Sequence, residues 1–264
     1  VAKSKKREKE LARLRYQRRQ QRIAQARARA RKRNRILAAT TAVVLVIGGV
    51  AYLANALRGN DAEARAYGSA SPTAPAPKGC EYVKEGTPAK DVGVPKFDQA
   101  EAAKPFTATI KTDHGDITFT ALVDKAPCAS YSFRYLAGKN FFDGTQCHRL
   151  TTTETLKVLQ CGDPTGTGYG GPGYRFPDEN LTGATYKAGT IAMANSGPDT
   201  NGSQFFIVYA DSQLPPSYTP FGMVTAGLDV VRKVSKAGSD NSNRPGDGKP
   251  KTPVTISDVA IAMK

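Results

Sequence analysis

Histidine occurs only twice, at His114 and His148, and the four cysteines, Cys80, Cys128, Cys147 and Cys161, form no C-x-x-C pair. Only His148 lies beside a cysteine, so the spacing of a zinc site is missing and no metal is expected. No motif sets a basic partner against a cysteine, which removes the usual way of generating a thiolate nucleophile. The Gly-dense run Gly162 to Gly173 contains GTGYGG, yet no GK[ST] closes it and no helical pattern follows, which speaks against a nucleotide loop. Acidic residues are scarce at one end: between Lys3 and Arg35 sixteen Lys and Arg meet only Glu8 and Glu10. The formal charge of +15 therefore belongs to that tail. The remainder is close to neutral, so a nucleic-acid ligand for it has no electrostatic support.

What is present divides into four parts. Residues 1–35 are rich in Arg, Ala, Gln and Lys, good helix formers whose like charges repel; a basic helical tail is expected where anions such as lipid headgroups neutralise it. Ile36 to Leu57 follows with no charge at all, long enough for the roughly 20 residues that cross a hydrocarbon core. Lys and Arg crowd its N-terminal side, so a single transmembrane helix at 36–57 is expected, with the tail cytoplasmic and the C-terminal domain extracytoplasmic. Ala54 and Ala56 form an A-x-A, which leaves cleavage as a signal peptide open. Residues 58–105 hold Pro72, Pro75, Pro77, Pro88, Pro95 and Pro105 among Ala, Ser and Gly, and read as a tether, with Tyr82, Val83 and Phe97 able to dock locally.

Residues 106–264 read as a domain of short strands. Thr107 to Thr112 and Ile117 to Val123 form a hairpin turning at His114 and Gly115. Pro127 starts a helix whose apolar positions recur until Gly138. Strands are expected at Thr145 to Leu150, Leu156 to Gln160, Tyr186 to Ala194, Phe205 to Tyr209, Pro220 to Val224 and Val254 to Met263, a second helix at Leu228 to Val234, and a polar loop at Asn241 to Pro253. The centre of this pattern is Met193 to Val208, MANSGPDTNGSQFFIV, a Gly/Asn/Ser loop held between two apolar strands. Many short strands with two modest helices argue for a mainly β domain, a closed antiparallel barrel.

MANSGPDTNGSQFFI, preceded by CHRL at Cys147 to Leu150 and LQCGD at Leu159 to Asp163, closely resembles the signature of the cyclophilin-type peptidyl-prolyl isomerases. The resemblance covers about Phe106 to Lys264. It implies a closed eight-stranded antiparallel barrel with two short capping helices, and acceleration of X-Pro rotation in proline-containing polypeptides, here exported ones. That chemistry calls for no cofactor. Its barrier of ~18–20 kcal/mol is amide resonance, and a catalyst must hold the proline ring in an apolar pocket while a fixed cation stabilises the twisted nitrogen. By resemblance Arg149 is the catalytic arginine and Gln160 the amide that orients it. Ala194, Asn195 and Ser196 form the edge that bonds the substrate backbone, with Asn195 counted among the catalytic residues. Gln204 is a polar neighbour, Phe206 and Leu214 line the floor, and Tyr218 stands at the rim.

The chain departs from the pattern in three places. Lys157 and Val158 replace the Phe and Met of eukaryotic members, so Leu156 is expected to supply that wall. Tyr218 stands where many members have His. No tryptophan is present, with Gln213 near the missing indole, so weak cyclosporin binding is expected. The competing reading is a proline-binding chaperone or scaffold with little turnover. With Arg149 and Gln160 facing one side, strand alternation puts Cys147 on that side and Cys161 on the other; a direct bond between them then needs a bulge, Cys128 with either stays open, and Cys80 is free to tie down the tether.

Overall fold

The computed structural model describes residues 79–264. The basic tail, the apolar segment 36–57 and the tether up to residue 78 lie outside the described residues. Among the described residues no helix is long and apolar enough to cross a membrane.

In chain order the elements are β1 (Val83–Lys84), α1 (Gln99–Ala102), β2 (Phe106–Thr112), β3 (Gly115–Ala121), α2 (Pro127–Ala137), β4 (Thr145–Gln146), β5 (Arg149–Thr151), β6 (Val158–Cys161), β7 (Tyr174–Arg175), β8 (Thr190–Met193), β9 (Phe205–Val208), β10 (Pro220–Ala226), α3 (Leu228–Ala237), β11 (Asp247–Gly248) and β12 (Thr255–Met263). Ten strands share one sheet in the order β11-β5-β6-β9-β8-β10-β3-β2-β12-β4, while β1 pairs with β7 apart from it. The hairpin β2–β3 turns at His114 as its sequence requires, and α2 stops at Gly138.

The expected closed eight-stranded barrel with two helices is not what forms. The sheet is a curled, ten-stranded half-barrel, unpaired between β11 and β4, and the described residues contain three helices. The strand expected over 145–150 breaks at Cys147 and His148: β4 pairs with β12 and β5 with β6. Cys147 uses its N–H on the carbonyl of Val254 at 2.9 Å, and its sulfur bonds Cys161. Strand alternation is therefore interrupted where the disulfide argument needed it. Both sulfurs lie in the interior, and the Cys147–Cys161 bond that alternation disfavoured is made. The third helix, α1, is capped by Asp98, whose Oδ1 accepts from Glu101 N–H at 3.0 Å.

Residues 79–105 pack on α2 and β7. Cys80 bonds Cys128, Tyr82 meets Tyr174 and Phe176 edge-on at 5.6 and 5.5 Å and donates to the Cys128 carbonyl, and Phe97 sits against Tyr131. Aromatic pairs with a satisfied hydroxyl offset the ordering of a Pro-rich segment.

The core is aromatic. Phe133 of α2 touches Phe119, Phe142, Phe205 and Phe221 with ring centroids 5.0–5.4 Å apart. The first turn of α2 has no local side-chain cap; the carboxylate of Glu179 accepts from Cys128 N–H at 3.0 Å and Ala129 N–H at 2.9 Å. Burial pushes this carboxyl up to about 7 against the pull of those two bonds.

Candidate active site

Antiparallel register places Arg149 of β5 opposite Gln160 of β6, Gln160 opposite Phe206 of β9, and Phe206 opposite Ala192 of β8. One row thus crosses four strands. Alternation sends their neighbours Leu150, Leu159, Ile207 and Ile191 into the interior core, while Phe206, Ala192, Val158, Val208 and Tyr186 form a second apolar cluster. This is why every residue of β9 is buried: its two faces are covered by different clusters.

Leu156, Leu214, Tyr218 and Ala194 pack around that second cluster. Tyr218 stands edge-on to Phe206, with centroids 5.5 Å apart and planes at 82°. Its backbone is held from both sides by the Tyr186 hydroxyl, which donates to the Tyr218 carbonyl at 2.8 Å and accepts from its N–H at 3.0 Å. The apolar residues expected at the floor, wall and rim are therefore in one place, Leu156 included.

The polar residues form a chain. Arg149 donates from NH1 to Gln160 Oε1 at 3.2 Å, Gln160 Nε2 donates to Gln204 Oε1 at 2.9 Å, and Gln204 Nε2 donates to the Gly170 carbonyl at 2.9 Å. The other edge of the guanidinium is held by Asp247, with Nε on Oδ1 and NH2 on Oδ2, both at 2.8 Å. The bidentate fork fixes the plane of the cation. Hydrogen bonding to Asp247 raises the guanidinium still further above the range in which it could lose its proton, and the same bond holds the Asp247 carboxyl below the usual range. Burial keeps the neighbouring His148 imidazole below its ordinary value, so it is neutral at neutral pH.

The edge at 194–196 is partly used internally. Ala194 N–H donates to the Gln204 carbonyl at 2.9 Å and Ser196 N–H to Thr200 Oγ1 at 2.9 Å. The Asn195 side chain turns to the Ser217 carbonyl at 2.7 Å, joining the central loop to the segment before Tyr218. Its peptide group makes no backbone hydrogen bond among the described residues, and is what this edge offers a bound chain.

The GTGYGG run is built around an anion of its own. The Asp163 carboxylate accepts from the N–H groups of Thr165, Thr167, Gly168 and Tyr169 at 2.6–3.0 Å, which holds its pKa below the usual range despite burial. A Cβ at Gly170 would come within 1.9 Å of Asp163 Oδ1, so only glycine fits there. Among the described residues one cluster has metal-ligand geometry, Cys80, Cys128 and Glu179, but its two sulfurs are bonded to each other and cannot ligate.

Asp247, Tyr186 and Asp163 carry the site and were not singled out by sequence reasoning. Asp247-Gly248 sits in a Gly/Pro-rich stretch and reads as a turn, and nothing local marks its partner 98 positions away.

The curled antiparallel sheet, with a clamped guanidinium beside an apolar hollow on its outer face, defines a cyclophilin-like fold. The chain belongs to the family described as cyclophilin type peptidyl-prolyl cis-trans isomerase/CLD, whose model matches residues 107–261. It is 47% identical over 168 residues to the probable peptidyl-prolyl cis-trans isomerase B of Mycobacterium tuberculosis, covering 59% of this chain and 54% of that protein. With the protein of the same description from Mycobacterium leprae it shares 46%, over 59% of this chain and 56% of the other. The chain thus spans about half the length of these relatives. A crystal structure of a Cryptosporidium parvum cyclophilin-type isomerase, described as in the presence of the dipeptide Ala-Pro, is similar at a TM-score of 0.52 and 32% identity, over 60% of this chain and 99% of that one.

Proposed function

We propose that this chain is a peptidyl-prolyl cis-trans isomerase that accelerates X-Pro rotation in proline-containing polypeptides. The observation that carries the reading is the row Arg149, Gln160, Phe206: a fixed cation, an orienting amide and an apolar floor on successive strands. The proline ring rests on Phe206 within Leu156, Leu214 and Tyr218, where burying its methylenes contributes about 0.8 kcal/mol each. The Asn195 peptide holds the flanking backbone. As the imide twists, its nitrogen regains a lone pair, and the guanidinium stabilises that state more than the planar one. No bond is made or broken, so neutral His148 and the oxidised cysteines are spectators.

The place of action is part of the same proposal. The uncharged run 36–57 behind a Lys/Arg-rich flank supports attachment to a membrane with the domain on its outer side, and two disulfides with no free cysteine among the described residues support an oxidising compartment. Its clients are then exported chains. With no indole near Gln213, cyclosporin binds weakly.

The test is exchange spectroscopy on an Ala-Pro peptide with the wild-type protein and Arg149→Ala. Acceleration by the wild type, lost by at least tenfold in the variant with folding unchanged, supports the reading. Tight peptide binding without acceleration would replace it with that of a proline-binding chaperone.

A further inference from the structure

We propose that residues 85–87, outside the span that defines the family, form part of the substrate groove and that Glu85 selects clients with a basic side chain near the proline. This rests on the proposed isomerase reading for what occupies the groove. Glu85, Gly86 and Thr87 line a cavity of about 430 Å³ together with Gln160, Asn195 and Gln204, three residues of the site just described. A side chain flanking the proline in the hollow has this cavity within reach, because Gln160 and Gln204 border both.

The segment is held in place by several independent ties. β1 pairs Val83 with Arg175 and Lys84 with Tyr174; Glu85 N–H reaches the Gly173 carbonyl at 3.0 Å and Ala89 N–H the Gly171 carbonyl at 2.9 Å. The Cys80–Cys128 disulfide anchors its start. Gly171 and Gly173 lie on the cavity's own wall, so the strap both fixes that wall and extends it.

Charge sets the preference. Glu85 is paired with Arg175 through Oε2 only; among the described residues its Oε1 has no hydrogen-bond partner, and the side chain is 60% exposed. Arg175 is further engaged by the Asp199 carbonyl at 3.1 Å. Asp178 and Asp199 lie outside the cavity lining, and each carboxylate accepts from the other's backbone N–H. Arg175, the one guanidinium on the cavity wall, is already held by Glu85 Oε2 and the Asp199 carbonyl, so the remaining carboxylate oxygen of Glu85 favours a cationic side chain over an anionic one.

The test is a peptide series with one proline and Lys, Gln or Glu placed in turn at each of three positions on either side. Both kcat/KM for isomerisation and Kd by calorimetry are measured on the full chain. At the responsive position the wild type should favour Lys over Glu by about two- to fivefold, the span of an exposed ion pair. Glu85→Gln should bring that ratio close to one, and Glu85→Lys should invert it. A Lys/Glu ratio equal in all three proteins at every position overturns the proposal, as does a wild-type ratio of one. If the wild type accelerates none of the peptides, the isomerase reading fails, while the affinity ratios still decide the role of Glu85.

Discussion

The guanidinium of Arg149 and the carboxylate of Asp247 meet through two parallel hydrogen bonds of 2.8 Å, across 98 positions of sequence. With Nε and NH2 so engaged, NH1 is the nitrogen turned toward Gln160. In the proposed reaction, the cation is thereby aimed by Asp247.

Replacing Arg149 with Lys keeps a charge but loses the planar fork, so it cannot bond Asp247 and Gln160 together. Turnover of an Ala-Pro peptide should fall by about tenfold or more, equivalent to ~1.4 kcal/mol of transition-state stabilisation. Exchange spectroscopy measures it, and far-UV circular dichroism checks that the fold is kept.

Asp247→Asn preserves the volume and removes the anion. The expected result is a lower kcat with KM little changed, because the proline hollow is untouched while the cation is free to swing. A rise in KM with kcat intact would assign Asp247 to binding instead. The carboxyl is held below its unfolded value, so its stabilisation is complete above about pH 4 and is lost as pH falls through the depressed folded pKa. Acid unfolding of Asp247→Asn should lack that component.

Phe206→Ala empties the floor of the hollow. It should raise KM more than it lowers kcat, and destabilise the fold by about 3 kcal/mol, as for other buried phenylalanines. Peptide titration and urea unfolding give the two numbers.

Glu179 offers a pH signature. Its folded pKa is raised to about 7, so the folded state holds the proton more tightly than the unfolded chain. Stability is then greatest below the unfolded value near 4.3 and declines as pH rises toward 7, by on the order of 3–4 kcal/mol. Glu179→Gln should flatten this slope when unfolding free energies are measured between pH 4.5 and 8.

Gly170→Ala drives a methyl onto Asp163 Oδ1. The loop must shift, taking with it the carbonyl that accepts from Gln204. Both a lower Tm and weaker isomerisation are expected; an unchanged Tm would mean that the Asp163 nest is not rigid.

Local pattern made much of this legible. The hairpin at His114, the helix from Pro127 to Gly138 and the strands around Met193 to Val208 follow from turn residues and from periods of two and 3.6, which need no knowledge of distant neighbours. Arg149, Gln160, Gln204 and Phe206 stood out because their wording matched a known signature; the register sets Arg149, Gln160 and Phe206 in one row, and a hydrogen bond from Gln160 joins Gln204 to it. The strand expected from Tyr186 was not: only Thr190–Met193 forms, and Tyr186 instead makes an isolated bridge to Ser212 and braces Tyr218.

Sequence alone determined that β5, β6 and β9 are strands, whose successive side chains take opposite faces of the sheet. Tertiary structure decided the rest: that the sheet stays open where Cys147 turns inward, that Asp247 clamps the cation, and that residues 79–105 dock on α2 and β7. Alternation is a property of neighbouring residues, whereas a disulfide, a bidentate ion pair and a docked strap join positions whose separation along the chain carries no signal of their meeting.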